Sequence, residues 1–199
     1  MDCGLAKRTA IARHYSLPGG QSHHCKSGPL MMRRQLLEAT EKGQSGRCRR
    51  LLRAKADVHA LNDYRVTPLM HAATNGDIET CLLLLESHAD VHAVDLFSWT
   101  SLSKAASRGN TRTCELLLQH KASVDDRDAF QRTALMYAAQ HGHTEVCRLL
   151  VEARAGVHTQ SSERLTSLDF AAMHGRMATS AYLSSVSSGI TLLRESGPR

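Results

Sequence analysis

Hydrophobic positions recur along the chain at a fixed step of 33 residues. Leu36, Leu69, Leu102, Leu135 and Leu168 form one column, and Cys48, Cys81, Cys114 and Cys147 form a second. Ala56, Ala89, Ala122 and Ala155 make a third, followed two places later by Val58, Val91, Val124, Val157 and Ile190. Polar and punctuating positions keep the same step. Thr67, Thr100, Thr133 and Thr166 are one such column, and Gly43, Gly76, Gly109, Gly142 and Gly175 are another. Several registers locked to one period mark a stack of structural repeats.

Each unit predicts helix, turn, helix, loop. In the clearest unit, Thr67 suits an N-cap and Pro68 the first helical position. Leu69, Ala72 and Ala73 follow at offsets of three and four, a narrow buried stripe. Gly76 ends the helix by supplying a left-handed residue. Cys81, Leu82, Leu84 and Leu85 form the apolar face of the second helix. One such unit cannot bury its own apolar face, so stability must come from stacking. The expected fold is an all-α solenoid of five repeats over residues 30–193.

The units resemble ankyrin repeats. The resemblance rests on Thr67-Pro68-Leu69-Met70-His71-Ala72-Ala73, then Gly76, the run Leu82–Leu85, and His88-Ala89-Asp90-Val91. It covers roughly residues 34–190. It implies helix-turn-helix repeats joined by short hairpin fingers, and a binding surface rather than an enzyme. Two family glycines are replaced throughout. Lys55, His88, Lys121 and Arg154 stand in one column, and Arg65, Ser98, Gln131 and Arg164 in the other. Each is expected to lose glycine's tolerance of positive φ, at about 1 kcal/mol.

The terminal units are expected to act as caps. The first has Arg34-Gln35-Leu36 in place of Thr-Pro-Leu, and the fifth replaces the Leu run with Tyr182-Leu183-Ser184-Ser185. Residues 1–29 lack an apolar period and are expected to form a disordered basic leader, with residues 194–199 a short tail.

Composition narrows the class. Aromatic residues are 4% of the chain, which disfavours a β architecture and suits Ala/Leu helices. The longest apolar run is six residues, Ala134–Ala139, far short of the roughly 20 a membrane helix needs. No secretory signal is visible at the N-terminus. Six cysteines in 199 residues fall below a disulfide-scaffold density, so an intracellular protein, cytoplasmic or nuclear, is expected. Of the net charge of +6, residues 1–34 carry +5, leaving a nearly neutral body unsuited to a nucleic-acid surface.

No catalytic motif, cofactor motif or metal set emerges. Repeat cysteines spaced a helix pair apart, roughly 8–10 Å, cannot meet at one zinc ion or form disulfides. They read as buried apolar side chains. His59, His92 and His158, with Asp125 in the same register, read as loop hydrogen-bonding residues. His23-His24-Cys25 lacks a full tetrahedral set.

The aromatics carry the functional expectation. Tyr64, Phe97 and Phe130 stand three residues before successive repeat threonines, and Trp99 stands one before Thr100. Glu163 takes the fourth place. By the resemblance these positions lie on the fingers. Either they contact a partner, as exposed aromatics often do, or they lie on one another and stiffen the finger row. By the same resemblance Thr74 and Asn75, Ser107 and Arg108, Gln140 and His141, and Met173 and His174 look outward from the first helices. With Val66, Leu96, Arg132 and Leu165 on the fingers they form an apolar middle with polar edges, centred on repeats two to four. Such a surface is large enough for a standard interface of about 1,600 Å². Arg108 and Arg132 are offset by Asp63, so no charge sign dictates the ligand.

The expectation is therefore a monomeric, non-catalytic adaptor for an unidentified protein, without cofactor. The runner-up readings are tethering to nucleic acid or an anionic membrane through the leader, and an ankyrin fragment of a larger enzyme. Arg13-His14-Tyr15-Ser16-Leu17-Pro18 marks Ser16 as a candidate phosphosite, with a mitochondrial presequence the rival reading of that segment.

Overall fold

A computed structural model describes residues 28–189. The leader through residue 27, with Ser16 and His23-His24-Cys25, lies outside them, as do Ile190 and the tail. Ten α-helices are present among the described residues. They pair into five repeats: α1 (Gly28–Glu41) with α2 (Ser45–Arg53), α3 (Pro68–Asn75) with α4 (Ile78–Glu86), α5 (Ser101–Arg108) with α6 (Thr111–Gln119), α7 (Ala134–His141) with α8 (Thr144–Glu152), and α9 (Ser167–Met173) with α10 (Met177–Ser187). First helices pack side by side in one layer and second helices in another.

The helix boundaries follow from their punctuation. Thr67 Oγ1 accepts from the Met70 N–H at 3.1 Å, and Thr100 Oγ1 from the Ser103 N–H at 3.2 Å. Thr166 and Asp169 form a reciprocal capping box. Gly76, Gly109 and Gly142 end the first helices at φ of 71°, 76° and 81°. All eight residues that replace family glycines do adopt positive φ, between 58° and 68°. The repeat backbone thus holds its left-handed turns against the steric cost of a Cβ.

The core follows the columns. Ala72, Ala73, Ala105, Ala106, Ala138 and Ala139 are fully buried, and their size lets the first helices approach closely. Cys48, Cys81, Cys114 and Cys147 are fully buried free thiols. Burial pushes Cys81, Cys114 and Cys147 up to about 12, so they pack as small apolar groups.

Repeats are also tied by polar bonds from the residue after each glycine. The Asn110 amide donates to the carbonyls of Ala73 and Thr74 at 2.9 and 3.0 Å. His143 Nε2 lies 3.2 Å from the Ser107 carbonyl, and Arg176 Nε donates to the Gln140 carbonyl at 3.1 Å. In the second repeat this position is Asp77, whose carboxylate can only accept. It instead caps α4 through the Thr80 N–H at 3.0 Å and accepts from Ser45 at 2.8 Å. Asn75, two residues earlier, takes over the donation, to Thr40 and Glu41 at 2.9 and 3.0 Å.

The end repeats differ in the same columns. Ser180, Ser184 and Ser188 stand where the fourth repeat has Cys147, Val151 and Ala155. At the other end Arg47 and Arg50 occupy the places of Val146 and Leu149. Helix α10 runs two residues longer than the other second helices and turns at Gly189, φ 68°.

Candidate functional site

Four fingers, residues 61–66, 94–99, 127–132 and 160–165, stand at the N-terminal ends of α3, α5, α7 and α9. Each is built around one acceptor side chain. Asp95 Oδ1 takes the N–H groups of Phe97 and Trp99, both at 2.9 Å. Asp128 does the same for Phe130 and Arg132, and Asn62 for Tyr64 and Val66. Ser161 supplies a hydroxyl instead, at 3.2 and 3.4 Å, to Glu163 and Leu165. Arg65, Ser98, Gln131 and Arg164 turn each finger at positive φ.

The fingers then pair with one another through their backbones. The Leu96 N–H donates to the Tyr64 carbonyl at 3.0 Å, Ala129 to Phe97 at 3.1 Å, and Ser162 to Phe130 at 3.0 Å. The second carboxylate oxygen anchors two fingers to the helices beneath. Lys104 Nζ lies 2.7 Å from Asp95 Oδ2, and the Tyr137 hydroxyl donates to Asp128 Oδ2. Lys104 and Tyr137 share one repeat column, which continues with Phe170 opposite Ser161. The anchor residue matches the finger's acceptor: a second oxygen meets a donor, and a hydroxyl meets none.

The structure separates the expected contact residues into groups. Tyr64 is 54% exposed and Leu96 39%. Phe97, Trp99 and Phe130 are half-buried and, with Asp95 and Lys104, line a cleft of about 190 Å³. Trp99 leans on Tyr137 with ring centroids 4.1 Å apart, and Lys104 Nζ lies 5.4 Å from the Trp99 ring. Arg132 packs over the Phe170 ring at 4.7 Å and lies 3.6 Å from Glu163. Val66 and Leu165 are half-buried. Asn75 is exposed but its amide is used between repeats, whereas Arg108 and His141 are exposed on the first-helix face. Thr74, Ser107 and Gln140 are half-buried beside them, and Met173 and His174 are exposed.

Two further exposed apolar residues, Leu61 and Val94, belong to this surface. The sequence reading passed over them, although they share a finger column whose next members are Arg127 and Gln160. The first residue of fingers one and two is therefore apolar, and that of fingers three and four polar.

Of the loop residues, Asp125 Oδ1 accepts from the Gly156 N–H at 2.9 Å. At His59 and His92 the bond to Asp57 and Asp90 is made by the backbone N–H. Among the described residues no helix is long and apolar enough to cross a membrane, and no group of three or more His, Cys, Asp or Glu is placed to hold a metal ion.

A family model described as ankyrin repeats (3 copies) matches three overlapping stretches, residues 36–128, 76–162 and 102–192. No curated protein matches the chain.

Proposed function

The chain belongs to the ankyrin-repeat family, and from that membership we propose that it is a non-catalytic adaptor whose protein partner seats on the first two fingers and the adjoining concave face. Ankyrin repeats are generally protein-interaction modules. The observation that carries the reading is the row of exposed apolar side chains on neighbouring fingers: Leu61, Tyr64, Val94 and Leu96. Exposed apolar groups held side by side by backbone pairing lose little entropy on contact. Tyrosine is moreover a frequent interface anchor. Phe97, Trp99 and Phe130 form the cleft behind this row, and Val66, Asn75, Arg108, Arg132, His141 and Leu165 its surroundings. The reading has the chain acting as a monomer, and inside the cell, where a cysteine content below disulfide-scaffold density fits a reducing compartment.

The test places a photo-crosslinking residue at position 64 or 96, and a control at Leu82 on the second-helix face. A partner crosslinked from the fingers alone, and lost in the Tyr64→Ser/Leu96→Ser variant, supports the reading. A partner retained by that variant at wild-type affinity, or crosslinked only from position 82, overturns it.

A further inference from the structure

We propose that the turn edge of repeats three to five binds an acidic polypeptide segment. This edge borders the same concave face as the protein-binding reading above, on which the assignment rests. Fingers stand at the N-terminal ends of the first helices. The turns into the second helices stand at their C-terminal ends, about 12 Å away along an eight-residue helix.

The two halves of this edge differ in sign. In repeats one and two it carries Glu41, Asp77 and Glu79 against Lys42. In repeats three to five, residues 107–112, 140–145 and 173–178, it carries Arg108, Arg112 and Arg176, all exposed. His141 and His174 lie exposed between them and bring no negative charge. Glu145 is the one carboxylate of these turns, and it stands 3.6 Å from Arg148. Among the described residues no carboxylate pairs with Arg108, Arg112 or Arg176.

The backbone adds to this sign. Asn110, His143 and Arg176 are the N-cap residues of α6, α8 and α10, and none caps its helix with its side chain. All three turn back to carbonyls of the preceding repeat instead. The first-turn N–H groups of three adjacent helices are thus left without a side-chain acceptor, and their dipoles favour negative charge. Guanidinium groups recognise carboxylates with two parallel bonds. These turns contain no Phe, Tyr or Trp, so the only rings they offer a nucleic-acid base are the imidazoles of His141, His143 and His174.

The experiment titrates the full chain into fluorescein-labelled deca-glutamate at about 50 mM salt, where surface charges are weakly screened. The expected result is binding that weakens roughly tenfold in Arg108→Glu/Arg112→Glu, as loss of complementary charge predicts. Circular dichroism confirms that the variant keeps its helices. Binding is expected to persist in a leader variant, Lys7→Glu/Arg8→Glu/Arg13→Glu, and in Tyr64→Ser/Leu96→Ser. Unchanged binding by Arg108→Glu/Arg112→Glu overturns the assignment. So does loss of all binding in the leader variant, or tighter binding of a ten-nucleotide single strand through the same arginines. Failure of the finger crosslinks with an intact deca-glutamate response would remove the finger reading alone.

Discussion

Lys104 and Asp95 form a nearly buried ion pair that ties the second finger to helix α5, with side chains 18% and 4% exposed. Asp95 also holds two finger N–H groups, so its charge is engaged on both oxygens. Replacing Lys104 by Met leaves a buried carboxylate without its cation. Loss of one partner of a buried pair costs about 3–5 kcal/mol. Lys104→Met is therefore expected to lower the urea midpoint strongly. Adding Asp95→Asn is expected to recover part of the loss, because the amide oxygen still accepts from Phe97 and Trp99. Equal midpoints for wild type and Lys104→Met would show that the pair does not hold the finger.

Gly109 and Gly175 share a left-handed backbone, φ 76° and 67°, but not their surroundings. A β-carbon at Gly109 would lie 2.6 Å from His143 Nδ1, whereas nothing lies within 4 Å of one at Gly175. Gly175→Ala is expected to cost about 1 kcal/mol, for the backbone alone. Gly109→Ala is expected to cost about 2–3 kcal/mol, because it also pushes His143 off the Ser107 carbonyl. Thermal unfolding of the two variants side by side checks the order, and equal costs would refute the role given to His143.

Thr133 begins α7 but does not cap it, and its buried hydroxyl has no partner. An unsatisfied buried polar group costs about 1–3 kcal/mol. Thr133→Val is thus expected to leave stability unchanged or raise it. Thr67→Val removes a working cap and is expected to cost about 1 kcal/mol. A loss for Thr67→Val and none for Thr133→Val in chemical denaturation is the expected result.

Acid should loosen the repeat stack through His71 and His143. Burial lowers both imidazoles below their ordinary value of 6.5. At His71 Glu41 opposes the shift and Lys104 adds to it. At His143 the bond to Ser107 opposes it, while His141 and Arg176 add to it. The unfolded chain then binds more protons than the folded one just below pH 6.5, so stability falls as pH drops through that value. The depressed Glu38 carboxyl acts only below its ordinary value of 4.5. The urea midpoint is expected to fall between pH 7.5 and 5.5. His143→Asn, whose amide can donate to Ser107 as Asn110 does to Ala73, should flatten that slope. A midpoint independent of pH in the wild type would count against both histidines.

Much of the fold was legible in the sequence because repeat positions meet the same environment five times. Gly76, Thr67 and Cys81 each announce a helix end, a helix start and a buried face by residue type alone. Lys55, Lys121 and Arg154 show the same logic inverted: their column, not their chemistry, foretold positive φ. Fingers were legible as loops, and their aromatics as a group. The side chains' destinations were not. Phe97 and Tyr64 share a column, yet Tyr64 is exposed and Phe97 is half-buried beside Trp99 and Phe130.

Period, helix pairing and the buried columns were thus determined by local pattern, since each depends on spacing within one unit. Which finger residues remain open, and where positive charge collects, only the tertiary structure decided. Both depend on neighbours some 33 residues away. Asn75 substitutes for Asp77 because a carboxylate cannot donate, and Trp99 is covered because Tyr137 of the next repeat reaches it. Such exchanges join different columns of adjacent repeats, so no reading down a single column contains them.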